Sequence, residues 1–457
     1  MVNAVAKYQK YAEYKDSGVE WLGKIPSHWH LFSLKRAIDK CTNGFWGAEP
    51  DGINDLCVLR VADFDRDNFN INLDKLTYRS VLPKEAENRL LKKGDLLIEK
   101  SGGGEKTLVG CVVQFNEDFD AITSNFVAKM TPNKNMESRF LTYAFAHLYA
   151  GRVNYPAIKQ TTGIQNLDSE AYLMENFCFP SLIEQTQIAN FLDHETTKID
   201  SVIEKQQQLI ELLKEKRQAV ISHAVTKGLD PNVPMKDSGV EWLGQVPEHW
   251  KVIQFRRITS LSQGLQIPQS ERLHEPNDNS VEYITIKSLN AKDDAYKEYI
   301  YKASDRVTCD KHDVLLARTG ATGEVVTNIS GVFHNNFFKV SYSSDILRDF
   351  LVYLLKVKEL KSHLLMLAGT TTIPDLNHGA FLSTHIALAS LKEQQEIIDF
   401  IDNYLERSMI LENKAKSAIK LMQERRTALI SAAVTGKIDV RNWQAPNATE
   451  REMEVST

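Results

Sequence analysis

Apolar residues recur at alternating steps of four and three along two stretches of the chain. From Leu192, positions 192, 196, 199, 203, 206, 210, 213, 217, 220 and 224 hold Leu, Thr, Ile, Ile, Gln, Ile, Leu, Arg, Val and Ala. This is a heptad seam with a few polar members, flanked by Glu, Lys and Arg. A weaker seam runs Ile401, Leu405, Ser408, Glu412, Ala415, Ile419, Met422, Arg426, Leu429, Ala433. The spacing predicts helices near 184–226 and 393–435, each of about 40 residues and about 60 Å long at about 1.5 Å per residue. Gly228 and Gly436 supply their C-terminal stops.

Outside the helices the pattern shortens. CVLRVADF, GDLLIEKSG and VGCVVQF are brief apolar runs bounded by Gly, Asp and Asn, and predict strands between about 40 and 135. RFLTYAFAHLYAGR, at 139–152, returns to helical spacing, with Leu141, Phe145 and Leu148 on one side. A second body repeats the plan with YITIKSL, HDVLLARTG and GEVVTNISGVF, then a helix over DFLVYLLKVKELKSHLL. The expected sheets are irregular and mostly antiparallel.

The repetition is also literal. KDSGVEWLGKIPSHW at 15–29 and KDSGVEWLGQVPEHW at 236–250 agree at twelve of fifteen positions, 221 residues apart. LIEQTQIANFLD at 182–193 matches LKEQQEIIDFID at 391–402, now 209 residues apart, and that offset holds to residues 230 and 439. Such long periods signal a duplicated domain rather than a solenoid. The predicted fold class is α+β: two mixed α/β bodies joined by two long antiparallel coiled-coil helices, in a pseudo-twofold duplication. The isologous logic sets the helices antiparallel and the bodies at opposite ends. The expected boundaries are a first body 1–181, a first helix 182–228, a linker 229–236, a second body 237–390, a second helix 391–437 and a C-terminal tail 438–457, of which about the last fifteen residues are expected to be mobile.

Composition narrows the class. The chain has 457 residues, a net charge of −5, and 25% charged side chains. No apolar run is long enough to span a membrane and the N-terminal stretch lacks a signal-peptide core, so a cytoplasmic protein is expected. Five scattered cysteines without a CxxC pair read as buried thiols in a reducing compartment. Residues 1–180 carry 22 basic and 23 acidic side chains, and residues 236–390 carry 17 and 18. A nucleic-acid partner therefore requires segregated charge, or partner proteins that supply part of the grip.

Catalytic patterns are missing. SGGGEKTL at 101–108 lacks the Gly-Lys-Thr ending of a phosphate-binding loop and reads as a solvated hairpin. GDLLIEK offers Asp95, Glu99 and Lys100, but Ala317 stands where Glu99 would recur, which argues against a nuclease carboxylate. His28, repeated beside a Trp as His249, reads as a local hydrogen-bonding residue rather than a metal ligand. No HExxH, GxSxG, dinucleotide loop or methyltransferase tetrad occurs. Catalytic and metal residues are therefore expected to be none.

The doubled DSGVEWLGxxPxHW openings, the LxEQxxIxxFxD helix starts and the RRxALISxAVTGKID-like helix ends resemble the specificity subunit of Type I restriction–modification systems, over about 15–440. The resemblance implies two target-recognition domains reading the halves of a split double-stranded DNA sequence. It implies helices that fix the unread spacer and seat two methyltransferase subunits. S-adenosylmethionine, ATP and Mg would belong to methyltransferase and restriction/translocase subunits, and this chain would bind no cofactor. Candidate DNA-binding residues are Arg60 and Lys287 in apolar strands; Lys100, Ser101, Lys106, Arg318 and Thr319 at strand ends; and Gln160, Thr161, Thr162, Thr370, Thr371 and Thr372 in polar loops. A bivalent coiled-coil scaffold for protein partners is the alternative; steep salt dependence of duplex binding separates the two.

Overall fold

The computed structural model describes residues 8–103, 107–161, 163–290, 297–301, 303–369 and 374–445. The chain divides into two compact units, residues 1–206 with 417–457, and residues 207–416.

The first unit is built on a four-stranded antiparallel sheet, in the order Val112–Gln114, Leu96–Glu99, Val127–Pro132, Ile38–Asn43. A smaller sheet joins Ala121–Thr123, Asp55–Leu59 and Tyr78–Ser80, its first pair parallel. The helix Ser138–Ala150 buries Leu141, Phe145 and Leu148, the stripe expected from its spacing. Asn176–Phe179 pairs with His30–Ser33 and delivers the chain into the first long helix, Leu182–Lys227.

The repeated opening is fastened to that helix start. Tyr14–Asp16 and Lys24–Pro26 form a hairpin that sinks Ile25 and is followed by the fully buried Trp29. The buried Glu184 carboxylate accepts Tyr11 Oη at 2.7 Å and Trp29 Nε1 at 3.0 Å, and its other oxygen lies 3.0 Å from His28 Nε2. His28 thus makes a polar contact, with a carboxylate far along the chain rather than a local partner. Burial and the neighbouring carboxylate push the Tyr11 hydroxyl far above its ordinary pKa, so it remains a donor.

Within this unit residues 182–206 lie against residues 417–434 in opposite directions. Ile188, Leu192 and Ile199 share one core with Leu429, Ile430 and Ala433. Arg426 reaches Asp200 at 2.9 Å, and Gln187 donates to the carbonyl of Val440 at 3.3 Å. Residues 436–443, which the sequence placed at a tail boundary, continue the packing. Ile438 and Val440 are buried, and Trp443 meets Phe191 and His194 edge-on or tilted. Gly436 has φ +70°, and a Cβ there would fall 2.4 Å from Pro26 Cδ.

The second unit repeats the plan. Its antiparallel sheet runs Thr259–Gln263, Phe337–Tyr342, Leu315–Ala317, Val325–Val326. A second sheet, Glu298–Tyr301, Ser280–Ile284, Gly331–Phe333 and Thr308–Cys309, contains one parallel pair. The helix expected over DFLVYLLKVKELKSHLL is two, Arg348–Leu355 and Lys358–Leu367. Between them Val357 adopts ψ 128° and buries its side chain completely, which ends one helix and starts the next.

Here residues 207–227 oppose the first part of the second long helix, Leu391–Val434, again antiparallel. Arg217 donates to Glu412 at 2.8 Å, while Ala224 and Val225 share a core with Ile397 and Ile401. Every seam residue named from the heptad pattern is buried or half-buried. Four cysteines are buried, but Cys41 is exposed on an edge strand.

Candidate nucleic-acid interface

In the first unit three strand ends come together at one edge of the main sheet. Asn43 lies opposite Ala128, and Glu99 opposite Val127. The tight turn from Ser124 to Val127, closed by a 3.0 Å backbone hydrogen bond, projects Asn125 and Phe126 into solvent. The Phe126 carbonyl accepts the backbone N–H groups of Lys100 at 2.8 Å and Ser101 at 3.2 Å. Only glycine fits at position 44, because a Cβ would lie 2.1 Å from the Ser124 carbonyl oxygen. Sequence pairing far along the chain therefore assembles the edge.

Its side chains alternate cations and flat apolar surfaces. Lys100 Nζ donates to Asn43 Oδ1 at 2.7 Å, and Arg89 Nε donates to the Asn43 carbonyl at 3.2 Å. The Arg89 guanidinium sits 5.6 Å over Phe45, and that of Arg79 sits 4.8 Å over Trp46. Ser101 Oγ is 2.6 Å from Asn166 Oδ1 on the adjacent hairpin. Such a surface offers charge for phosphates together with donors, acceptors and apolar contacts for base edges.

The second unit holds the same edge with other side chains. Gln263 lies opposite Phe338 and Ala317 opposite Phe337, and the turn from His334 to Phe337 closes at 3.0 Å. Arg318 N donates to the Asn336 carbonyl at 2.7 Å, the place Lys100 takes under Phe126. Gly264 repeats the constraint at Gly44, its Cβ position lying 2.3 Å from the Phe333 carbonyl oxygen. Arg318 pairs with Asp375 at 2.6 Å and lies over Phe338, and Thr319 bridges Asp375 as Ser101 bridges Asn166. Asn335 Nδ2 donates to Gln266 Oε1 at 3.0 Å.

The candidates from sequence fall unevenly on these edges. Lys100, Ser101, Arg318 and Thr319 lie on them. Gln160 is exposed on Ile158–Thr161, in the hairpin that also carries Asn166. Thr161 is in that strand, but its side chain is outside the description. Lys106, Thr162, Thr370, Thr371 and Thr372 lie outside the described residues. Arg60 stands at a strand exit, where it bonds Asp63 at 2.7 and 3.2 Å and the Lys75 carbonyl at 3.2 Å. Lys287 is not in a strand. It belongs to the short helix Ile286–Asn290, because Thr285 and Ser288 cap each other and bend the chain there. Sequence reasoning missed Asn43, Phe45, Trp46, Arg79, Arg89 and Phe126. The readable signal was a glycine after a polar strand end in both bodies, NGFW and QGLQ.

Glu99 has a structural explanation. It is fully buried and pairs with Arg66 at 2.8 Å, and burial raises its pKa despite that partner. In the other body the place of Glu99 is taken by Ala317, so this buried pair is not repeated. Among the described residues no cluster of His, Cys, Asp or Glu is placed to hold a metal, and no helix is long and apolar enough to cross a membrane.

One edge geometry built twice, with different side chains on each copy, defines a duplicated domain protein. The chain belongs to the Type I restriction modification DNA specificity domain family, matched over residues 67–212 and 247–421. It is similar to the Type I restriction enzyme EcoKI specificity subunit of Escherichia coli, 22% identical over 93% of this chain and 92% of the relative. It is also similar to the MjaVIII specificity subunit of Methanocaldococcus jannaschii, 22% identical over 83% and 86%. Its fold resembles a chain solved in work on complex assembly and conformational transition of the type I R-M system, with TM-score 0.68, 15% identity, and coverage of 90% and 98%. The HsdS subunit from Thermoanaerobacter tengcongensis is similar at TM-score 0.55, 14% identity, and coverage of 91% and 98%. The chain is therefore a DNA sequence-recognition subunit of a Type I restriction–modification system, and not itself the catalyst. The protein-scaffold alternative is not favoured.

Proposed function

We propose that the chain reads a split double-stranded DNA target, one half-site for each body. Residues 1–181 and 237–390 act as the target-recognition domains, joined through the linker 229–236. Helices 182–228 and 391–437 set the unread spacer and seat two methyltransferase subunits. Those subunits methylate adenine with S-adenosylmethionine, and restriction/translocase subunits use ATP and Mg, all in the cytoplasm.

The observation that carries this reading is the pair of equivalent edges. Both have the same backbone bonds at turn, strand end and glycine, yet the places of Lys100, Ser101, Asn43 and Asn166 are taken by Arg318, Thr319, Gln263 and Asp375 in the other copy. Sameness of frame with difference of functional groups suits two readers of different sequences. Lys100, Ser101, Gln160, Arg318 and Thr319 are DNA-contacting residues in this proposal. Lys106, Thr161, Thr162, Thr370, Thr371, Thr372, Arg60 and Lys287 are further DNA contacts in the same proposal.

Methylome sequencing tests it. A chain whose residues 30–180 are replaced by a relative's body, expressed with its methyltransferase subunits, should methylate a sequence changed in one half only. A change in both halves refutes independent reading. Affinity for duplex DNA that does not fall with salt refutes DNA binding through this surface.

A further inference from the structure

Resting on the proposal that each body reads one half-site, we infer that the third residue of the two edge turns, Phe126 and Asn336, determines specificity. Phe126 meets a thymine C5-methyl, and Asn336 pairs with an adenine edge.

The position is equivalent in both units by geometry. Each turn closes on its fourth residue at 3.0 Å, and each third residue offers its carbonyl to the strand-end basic residue, Lys100 or Arg318. Each turn also has asparagine second, Asn125 or Asn335. Backbone, flanking cation and neighbouring glycine are shared. What changes is the side chain, an exposed apolar ring in one copy and a half-buried amide in the other.

Phe126 is 51% exposed. An isolated exposed phenylalanine needs no explanation on a surface. This one stands at the tip of a turn whose carbonyl accepts the backbone N–H groups of Lys100 and Ser101. Arg79 is matched by Glu49 at 2.7 Å, but Lys100 and Arg89 bond uncharged oxygens here, and these two cations select a polyanion as occupant. In the major groove of DNA the apolar feature within reach is the thymine methyl, and an asparagine amide matches adenine N6 and N7. The two side chains thus ask for different bases from one scaffold position.

The test uses the full chain with its methyltransferase subunits and duplexes varied one base pair at a time. Phe126→Ala should reduce discrimination about tenfold at one or two positions of a single half-site. The other half-site and the spacer should be unchanged. Deoxyuridine in place of the contacted thymine should cost the unaltered complex a similar factor and the variant little. Asn336→Ala should relax the opposite half-site. Phe126→Asn leaves the core untouched and should shift the same position toward adenine.

Unchanged discrimination in these variants overturns the inference, as does loosening of both half-sites by either one. Selectivity lost without sensitivity to the methyl overturns the thymine contact. Methylation abolished in both Phe126 variants overturns it too, because the turn would then be structural. If the unaltered complex shows no half-site discrimination at all, the failure lies with the proposed function instead.

Discussion

Replacing Glu184 with alanine tests how the repeated opening is locked to its helix. Tyr11 Oη and Trp29 Nε1 both donate to Glu184 Oε1, at 2.7 and 3.0 Å, and both residues are buried. Each buried donor left without a partner costs about 1–3 kcal/mol, so the pair costs about 2–6 kcal/mol. His28 is 46% exposed and adds little. The second unit supplies the control. Glu393 meets His249, whose side chain is 53% exposed, and among the described residues Trp250 Nε1 already meets no acceptor. Glu393→Ala should therefore cost less than about 1 kcal/mol. Urea unfolding of the full-length chain, followed by tryptophan fluorescence, measures both losses. Limited proteolysis then identifies which unit opens. Equal losses from the two substitutions, or less than about 1 kcal/mol from Glu184→Ala, would refute the bonding account.

Glu99→Ala strands the Arg66 guanidinium inside the first unit, and should cost about 3–5 kcal/mol in the same urea assay. Adding Arg66→Met should recover most of it; a double variant as unstable as the single one would show that the pair contributes more than mutual neutralisation. Burial among Trp21 and Phe177, reinforced by Lys437, holds the His147 pKa down to about 4. The folded ring stays neutral while the unfolded ring takes a proton near about 6.5. That part of the stability is complete above about 6.5 and is lost as pH falls toward about 4. Melting temperatures at pH 7.5 and 5 should differ less in His147→Phe than in the unaltered chain, and an equal difference would exclude this histidine as the cause.

The long helices were legible because a buried seam imposes its period directly on sequence, and Leu192, Ile199, Ile210 and Leu213 need no distant information to be recognised. The duplication was legible from near-identical segments. The edges were not. Asn43, Lys100 and Phe126 become neighbours only through pairing across some 80 residues, so no local pattern marks them as one surface. Lys287 looked like a strand residue because YITIKSL is apolar and β-branched, but the reciprocal Thr285–Ser288 cap outweighs that propensity. Arg60 looked available for the same local reason, and Asp63, three residues on, engages it.

The first unit takes in residues 417–443, with Ile438, Val440 and Trp443 packed beside the opening hairpin and helix start. The second unit is contiguous from 207 to 416. On the ribosome, chains ordinarily fold from the N-terminal domain onward. In this protein the order of completion is reversed: the module encoded first must wait, with Phe191 not yet covered by Trp443, until residues 417–443 have been synthesised. A nascent chain interrupted anywhere between residues 417 and 443 would carry a finished second module and an unfinished first one.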